Sequence, residues 1–176
     1  MSDWPGASAS TTREMELIAT TTLSGAAASI TFSGINTDYR FFELVGWFLK
    51  DANLGQMGVT LNGDTGVNYN SQYIAADGAT IASGRATATA MIYVNIYDNM
   101  DASSVASLTM TIGKPVAGER ASVVQTFSYI RTSLILEMAG ADWNNTADLI
   151  SSIQVKSLTN NLAIGSRVSL GGARVA

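Results

Sequence analysis

The chain of 176 residues contains no cysteine and no histidine. Without cysteine there is no disulfide, no thiolate nucleophile and no thiolate metal ligand. Without histidine the commonest general base and the commonest metal ligand are lost together, and so are Ser-His and Cys-His arrangements. Charge is scarce too: 14% of the residues are charged, against about 25% in a typical soluble domain. Ten Lys and Arg against 14 Asp and Glu leave a formal net charge of −4, and no basic run offers a footprint for nucleic acid. A mildly acidic surface is repelled by DNA and by anionic lipid. No window approaches the about 18 apolar residues of a membrane-spanning helix. Met1-Ser2-Asp3-Trp4-Pro5-Gly6 has neither the basic start nor the apolar run of a signal peptide. The expectation is a chain made and folded in the cytoplasm, with neither nucleic acid nor membrane as its partner.

What is there is apolar and small. Hydrophobic residues make up 47% of the chain, and Ala, Ser, Thr, Gly and Asn fill the places that Lys and Glu usually take. Such a surface either faces other protein over much of its extent or is a neutral coat of Thr and Ser on a β-protein. The length is that of one domain able to bury a proper core. Residues 1–13 read as an arm, because Trp4-Pro5-Gly6 cannot continue a regular element and the next six residues are small and polar. The arm is either a frayed terminus or a segment that orders on a neighbour, with Trp4 and Pro5 as its apolar contact. Residues 14–176 form the domain.

The domain reads as strands throughout. Met15, Leu17, Ala19, Thr21 and Leu23 alternate with more polar neighbours, and period two marks a half-buried strand. Ser29–Ser33 carries Ile30 and Phe32 on one face. Tyr39–Lys50 is apolar on both faces, with Phe41, Val45, Trp47 and Leu49 on one and Phe42, Leu44 and Phe48 on the other. Such a strand is central in a sandwich or has one face covered by a partner. Further strands are expected at Gln56–Asn62, Gln72–Ala75, Ala86–Tyr97, Ser104–Ile112, Ser122–Ile130, Leu134–Ala139, Asp148–Ser157 and Gly165–Leu170. Turn signals at Asp77-Gly78 and Ser83-Gly84 flank Ala79–Ala82. Residues 148–155 are equally compatible with a short helix. Nine or ten short strands with turns every 8–15 residues predict an all-β antiparallel sandwich, jelly-roll-like, rather than a parallel α/β fold.

No catalytic constellation stands out, and neither GxxxxGK[ST] nor GxGxxG occurs. Most acidic residues sit in turns, where Asp bonds its own backbone. Glu43 and Glu137 lie inside apolar strands. As a pair they would be the one route to carboxylate hydrolysis; otherwise they are edge or solvent-facing residues, or partners of Arg40 or Arg131. Asn62-Gly63-Asp64-Thr65-Gly66-Val67-Asn68 has the oxygen-rich alternation of a calcium loop but lacks the terminal Glu of an EF-hand, so a structural turn is the simpler reading. The expectation is no enzyme and no cofactor. Tyr69, Tyr73 and Trp143 sit in or beside loops. They are candidate contact residues for a partner, or else caps on the ends of the core.

Three stretches resemble a known group. They are Ala28-Ser29-Ile30-Thr31-Phe32-Ser33-Gly34-Ile35 with Tyr39-Arg40-Phe41-Phe42-Glu43-Leu44-Val45; Leu61-Asn62-Gly63-Asp64-Thr65-Gly66-Val67-Asn68-Tyr69; and Ile150-Ser151-Ser152-Ile153 with Leu162–Gly172. Their order resembles the tailed-bacteriophage virion proteins, a diffuse group of capsid decoration (cement) proteins and tail or receptor-binding components. Where that group often ends on Leu-Tyr-Gly, this chain has Leu170-Gly171-Gly172. The resemblance implies a β-sandwich, often trimeric, on a viral particle. It implies a structural protein that decorates and stabilises a capsid, with the major capsid protein or another virion protein and further copies of itself as partners. The alternative is a tail fibre or receptor-binding domain that recognises a host-surface glycan.

Overall fold

The computed structural model describes residues 14–50, 55–95, 104–114, 116–130 and 133–174. Trp4 and Pro5, with the rest of the arm, lie outside the described residues. Those described form twelve strands and no helix: β1 (Glu16–Thr22), β2 (Ser29–Ser33), β3 (Tyr39–Phe48), β4 (Met57–Leu61), β5 (Tyr69–Asp77), β6 (Thr80–Thr89), β7 (Ile92–Tyr93), β8 (Ala106–Gly113), β9 (Ala121–Ile130), β10 (Leu134–Trp143), β11 (Ser152–Ser157) and β12 (Arg167–Arg174). All pairings are antiparallel. They build an eight-stranded sheet in the order β1-β12-β3-β8-β9-β10-β5-β6 and a four-stranded sheet in the order β2-β11-β4-β7. The β-sandwich expected from the period-two pattern is therefore present, with unequal layers.

Alternation puts one face of each long strand into the core. Phe42, Leu44 and Phe48 of β3, Leu108, Met110 and Ile112 of β8 and Val123, Phe127 and Tyr129 of β9 are buried. Facing them from the smaller sheet are Ile30, Phe32, Val59, Leu61, Ile153 and Val155. At about 25 cal/mol per Å² of apolar surface removed from water, this single cluster is the main stabilising term.

Three local expectations need correction. Ala86–Tyr97 is not one strand. Its first part belongs to β6 and Ile92–Tyr93 to β7 in the other sheet, while Ile96 and Tyr97 lie outside the described residues. The break has a physical cause. Ala88 has a positive φ of 54° and its N–H donates to Asn70 Oδ1. The Thr89 hydroxyl donates to Tyr69 O and to Met91 O, which turns the chain from one layer into the other. Ser83-Gly84 is not a turn but mid-strand in β6. Gly84 is there because the Tyr73 ring lies over it: a Cβ would come within 2.2 Å of the Tyr73 hydroxyl. In β1, an irregularity between Leu17 and Ala19 shifts the alternation, so Met15 and Leu17 face outward while Ile18, Ala19 and Leu23 pack against the core. Of the strand expected over Asp148–Ser157, only Ser152–Ser157 forms, as β11, and no helix is present at 148–155.

Candidate functional site

Among the described residues no second layer covers the outer face of the larger sheet, and the register reveals what that face carries. One row runs across six strands as Ser83, Ile74, Met138, Thr126, Thr109 and Val45. The next runs as Ile81, Ala76, Leu136, Ser128, Ser107 and Trp47 in β6, β5, β10, β9, β8 and β3. None of these twelve side chains is charged. Ile74 is 51% exposed, Met138 50% and Ile81 73%. Leu134 and Ile130, paired at the end of β9 and β10, extend the apolar area. Between the large residues lie hydroxyls, two of which bond each other, Ser107 Oγ to Ser128 Oγ at 2.8 Å.

A third row holds Arg85, Gln72, Gly140, Val124, Thr111 and Glu43. It carries charge at its two ends only. Gly140 leaves a gap in it. Around that gap is an open hollow of about 510 Å³ lined by Gln72, Tyr73, Ile74, Val124, Met138 and Gly140 among others. A second, more polar groove of about 470 Å³ adjoins it and is lined by Asn70, Gln72, Arg85, Gly140 and Asp142. Arg120 pairs with Asp142 there at 3.1 Å.

The aromatic residues singled out in the sequence fall elsewhere. Tyr69 and Trp143 are wholly buried, cross-strand partners in β5 and β10 with ring planes 17° apart. They cap the end of the core and present no surface to a partner, which corrects their candidacy as contact residues. Tyr73 is half-buried against Gly84 and edges the hollow.

The 62–68 segment is a structural turn built around Asp64. Its carboxylate accepts from Trp143 Nε1 at 2.7 Å, Asn68 Nδ2 at 2.9 Å and Gly66 N at 2.8 Å. Burial alone would raise the pKa of this carboxyl; the three hydrogen bonds outweigh it and hold the pKa below the ordinary value. The Tyr69 hydroxyl, which accepts from Leu61 N at 3.0 Å, is pushed up to about 12 chiefly by burial. The oxygens that a cation would need are thus engaged by N–H groups. Among the described residues no group of three or more acidic side chains is placed to hold a metal ion.

Glu43 and Glu137 do not form a pair. Glu43 lies on the outer face of β3, opposite Thr111. Glu137 is buried on the inner face of β10, where the Tyr129 hydroxyl approaches it at 3.5 Å. The sheet itself stands between them, three strands apart.

Lys114 is a buried cation that sequence reasoning passed over, since a lone Lys before a Pro carries no signal. Its Nζ donates to Glu119 O at 2.6 Å and Asn145 O at 2.8 Å and lies 5.3 Å from the centre of the Trp143 ring. Burial lowers its pKa, against the field of Asp148 and Glu119. The ammonium ties two loops to the capped end of the core and is saturated by that task.

No family model and no curated protein matches this chain. What the geometry offers is a broad contact face rather than a pocket converging on reactive groups.

Proposed function

We propose that this chain is a non-catalytic structural subunit of a tailed-bacteriophage particle, one that decorates and stabilises the capsid through protein–protein contacts. The observation that carries this reading is the outer face of the eight-stranded sheet. Twelve adjacent side chains carry no charge, and Ile74, Ile81, Leu136, Met138 and Trp47 among them are about half exposed or more, the kind of contiguous apolar surface that marks a protein contact. Low overall charge agrees with it. So does the resemblance of the 28–45, 61–69 and 150–172 stretches to virion proteins. Cement proteins act by burying surface between capsomers, and many weak copies add up.

The test is cryo-electron microscopy, with mass spectrometry, of phage particles whose genome encodes this chain. Hundreds of copies on the icosahedral shell are expected. A handful of copies at the tail vertex would replace this reading with the receptor-binding one. The groove of Asn70, Gln72, Arg85 and Asp142 favours that second reading by its polar lining. With Tyr69 and Trp143 buried, neither supplies the stacking surface that sugar rings use. Absence from particles would end both.

A further inference from the structure

We infer that a second copy of this chain covers the outer face of the eight-stranded sheet, packed face to face about a twofold axis that runs along the strands between β9 and β10. The inference rests on the reading of this face as a contact surface and goes on to name what touches it.

The first observation is Gly140. Glycine in the middle of a strand lowers stability, because it gives up backbone freedom and packs nothing. Most mid-strand glycines of this fold have an internal reason. A Cβ at Gly46 would come 2.8 Å from Arg167 O, one at Gly58 2.4 Å from Met91 Sδ, and one at Gly84 2.2 Å from the Tyr73 hydroxyl. At Gly140 the nearest heavy atom would be Val123 O at 3.9 Å, an ordinary contact, and φ is not in the left-handed region. Among the described residues nothing requires glycine there. The open side is the hollow that Gly140 floors.

The second observation is self-complementarity. A twofold axis between β9 and β10 sets β10 of one copy against β9 of the other, β5 against β8, and β6 against β3. Each row then meets itself reversed. In the third row Gly140 receives Val124, a knob that is 61% exposed, and Arg85 meets Glu43 at both ends. Among the described residues neither of these charges forms an ion pair within its own chain. In the middle row Met138 meets Thr126 and Ile74 meets Thr109, and in the next Leu136 meets Ser128. Large faces small at these three central pairs, as interdigitating sheets require, while at the two edges Ile81 meets Trp47 as an apolar pair over the small Ala76 and Ser107. An isologous contact must be complementary to itself, and this register is so in its third row and at its centre.

The third observation is size. Six strands about 4.8 Å apart and three rows about 6.8 Å apart give roughly 600 Å², the lower end of what each partner contributes to a specific stable interface.

Sedimentation velocity and cysteine cross-linking test the pairing. The purified chain is expected to sediment at twice its 18.5 kDa. Val124→Asp, which points outward and leaves the fold's circular dichroism unchanged, is expected to weaken the pair about a hundredfold. Arg85→Glu is expected to weaken it about tenfold, and adding Glu43→Arg to the same chain to restore it. Because the native chain has no cysteine and packed sheets lie about 10 Å apart, a mixture of Val124→Cys and Gly140→Cys proteins is expected to be joined by a short bis-maleimide, and a mixture with Thr20→Cys not. A monomeric native chain, an oligomer indifferent to Val124→Asp, or a charge swap without rescue would each overturn the inference. So would failure of the 124–140 mixture to cross-link. These read pairing alone: a monomer that still coats particles would leave the proposed function standing, and a pair absent from particles would remove only that function.

Discussion

At the scale of single residues, the end of the core hangs on Asp64. Three donors converge on one carboxylate, and one of them is the indole of the largest buried side chain, Trp143. Asp64→Ala leaves those donors without an acceptor, and thermal or urea unfolding is expected to show a loss of about 3 kcal/mol. The pH dependence follows from the direction of the shift. Asp64 has a lowered pKa in the folded state, so its contribution is complete above the ordinary value near 3.8 and is lost as pH falls through the folded value. Asp64→Asn is therefore expected to flatten the acid limb of stability below about pH 4. Tyr69 acts at the other end. Its folded pKa is raised to about 12, so its contribution is complete below the ordinary value of 10.0 and fades as pH rises from there. Alkaline unfolding followed by tyrosinate absorbance is expected to shift in Tyr69→Phe. The turn at 62–68 and the capping of the core by Tyr69 and Trp143 were legible beforehand; the bond between them was not. The Asn-Gly-Asp run reads as a turn in sequence, but the indole 79 positions away that bonds Asp64 is brought there only by the β5–β10 pairing.

At the scale of elements, the strands that the sequence announces clearly are those with one apolar face. Leu108, Met110 and Ile112 in β8 and Val123, Phe127 and Tyr129 in β9 alternate cleanly and are buried as their period predicts. The failures lie where both faces look alike. In β6, Ala, Ser and Thr give no contrast between inside and outside, and Gly84 imitates a turn because the reason for it is a ring on the neighbouring strand. The crossing from β6 to β7 was hidden for a similar reason, since the device that ends β6 is the Asn70 side chain of another strand. Asn70→Ala removes the acceptor for Ala88 N–H and the donor to Asp142 Oδ1. It is expected to cost about 1 kcal/mol and to speed amide exchange along β6 more than along β9, a difference that hydrogen exchange read by mass spectrometry resolves.

At the scale of the whole molecule, the two readings of a charge-poor surface meet on the outer face of the large sheet. Sequence alone allows β3 to be central or to be covered by a partner. The structure makes it central by pairing and leaves Val45 and Trp47 about half exposed. The Thr and Ser coat and the apolar patch are the same surface, row by row. A charge placed in the middle of it, Met138→Lys, is expected to leave the far-ultraviolet circular dichroism of the chain unchanged, because the side chain points away from the core. It is also expected to separate the paired copies, which halves the sedimenting mass. Unequal layers, invisible in any local pattern, are what expose this face.

The placement of β12 sets the order in which the molecule can be finished. Among the described residues it is the last strand in sequence, yet it lies between β1 and β3 and is the one strand paired with β1. Of the described strands, the first to be made thus has no partner until the last has been made. The closing contact is among the most distant in sequence that the fold contains, such as Leu17 with Gly171. Completion of the large sheet is therefore slow for the chain's length. A chain stopped before Arg167 would carry the apolar edge of β3 bare, and would emerge as an aggregating fragment rather than a smaller working domain.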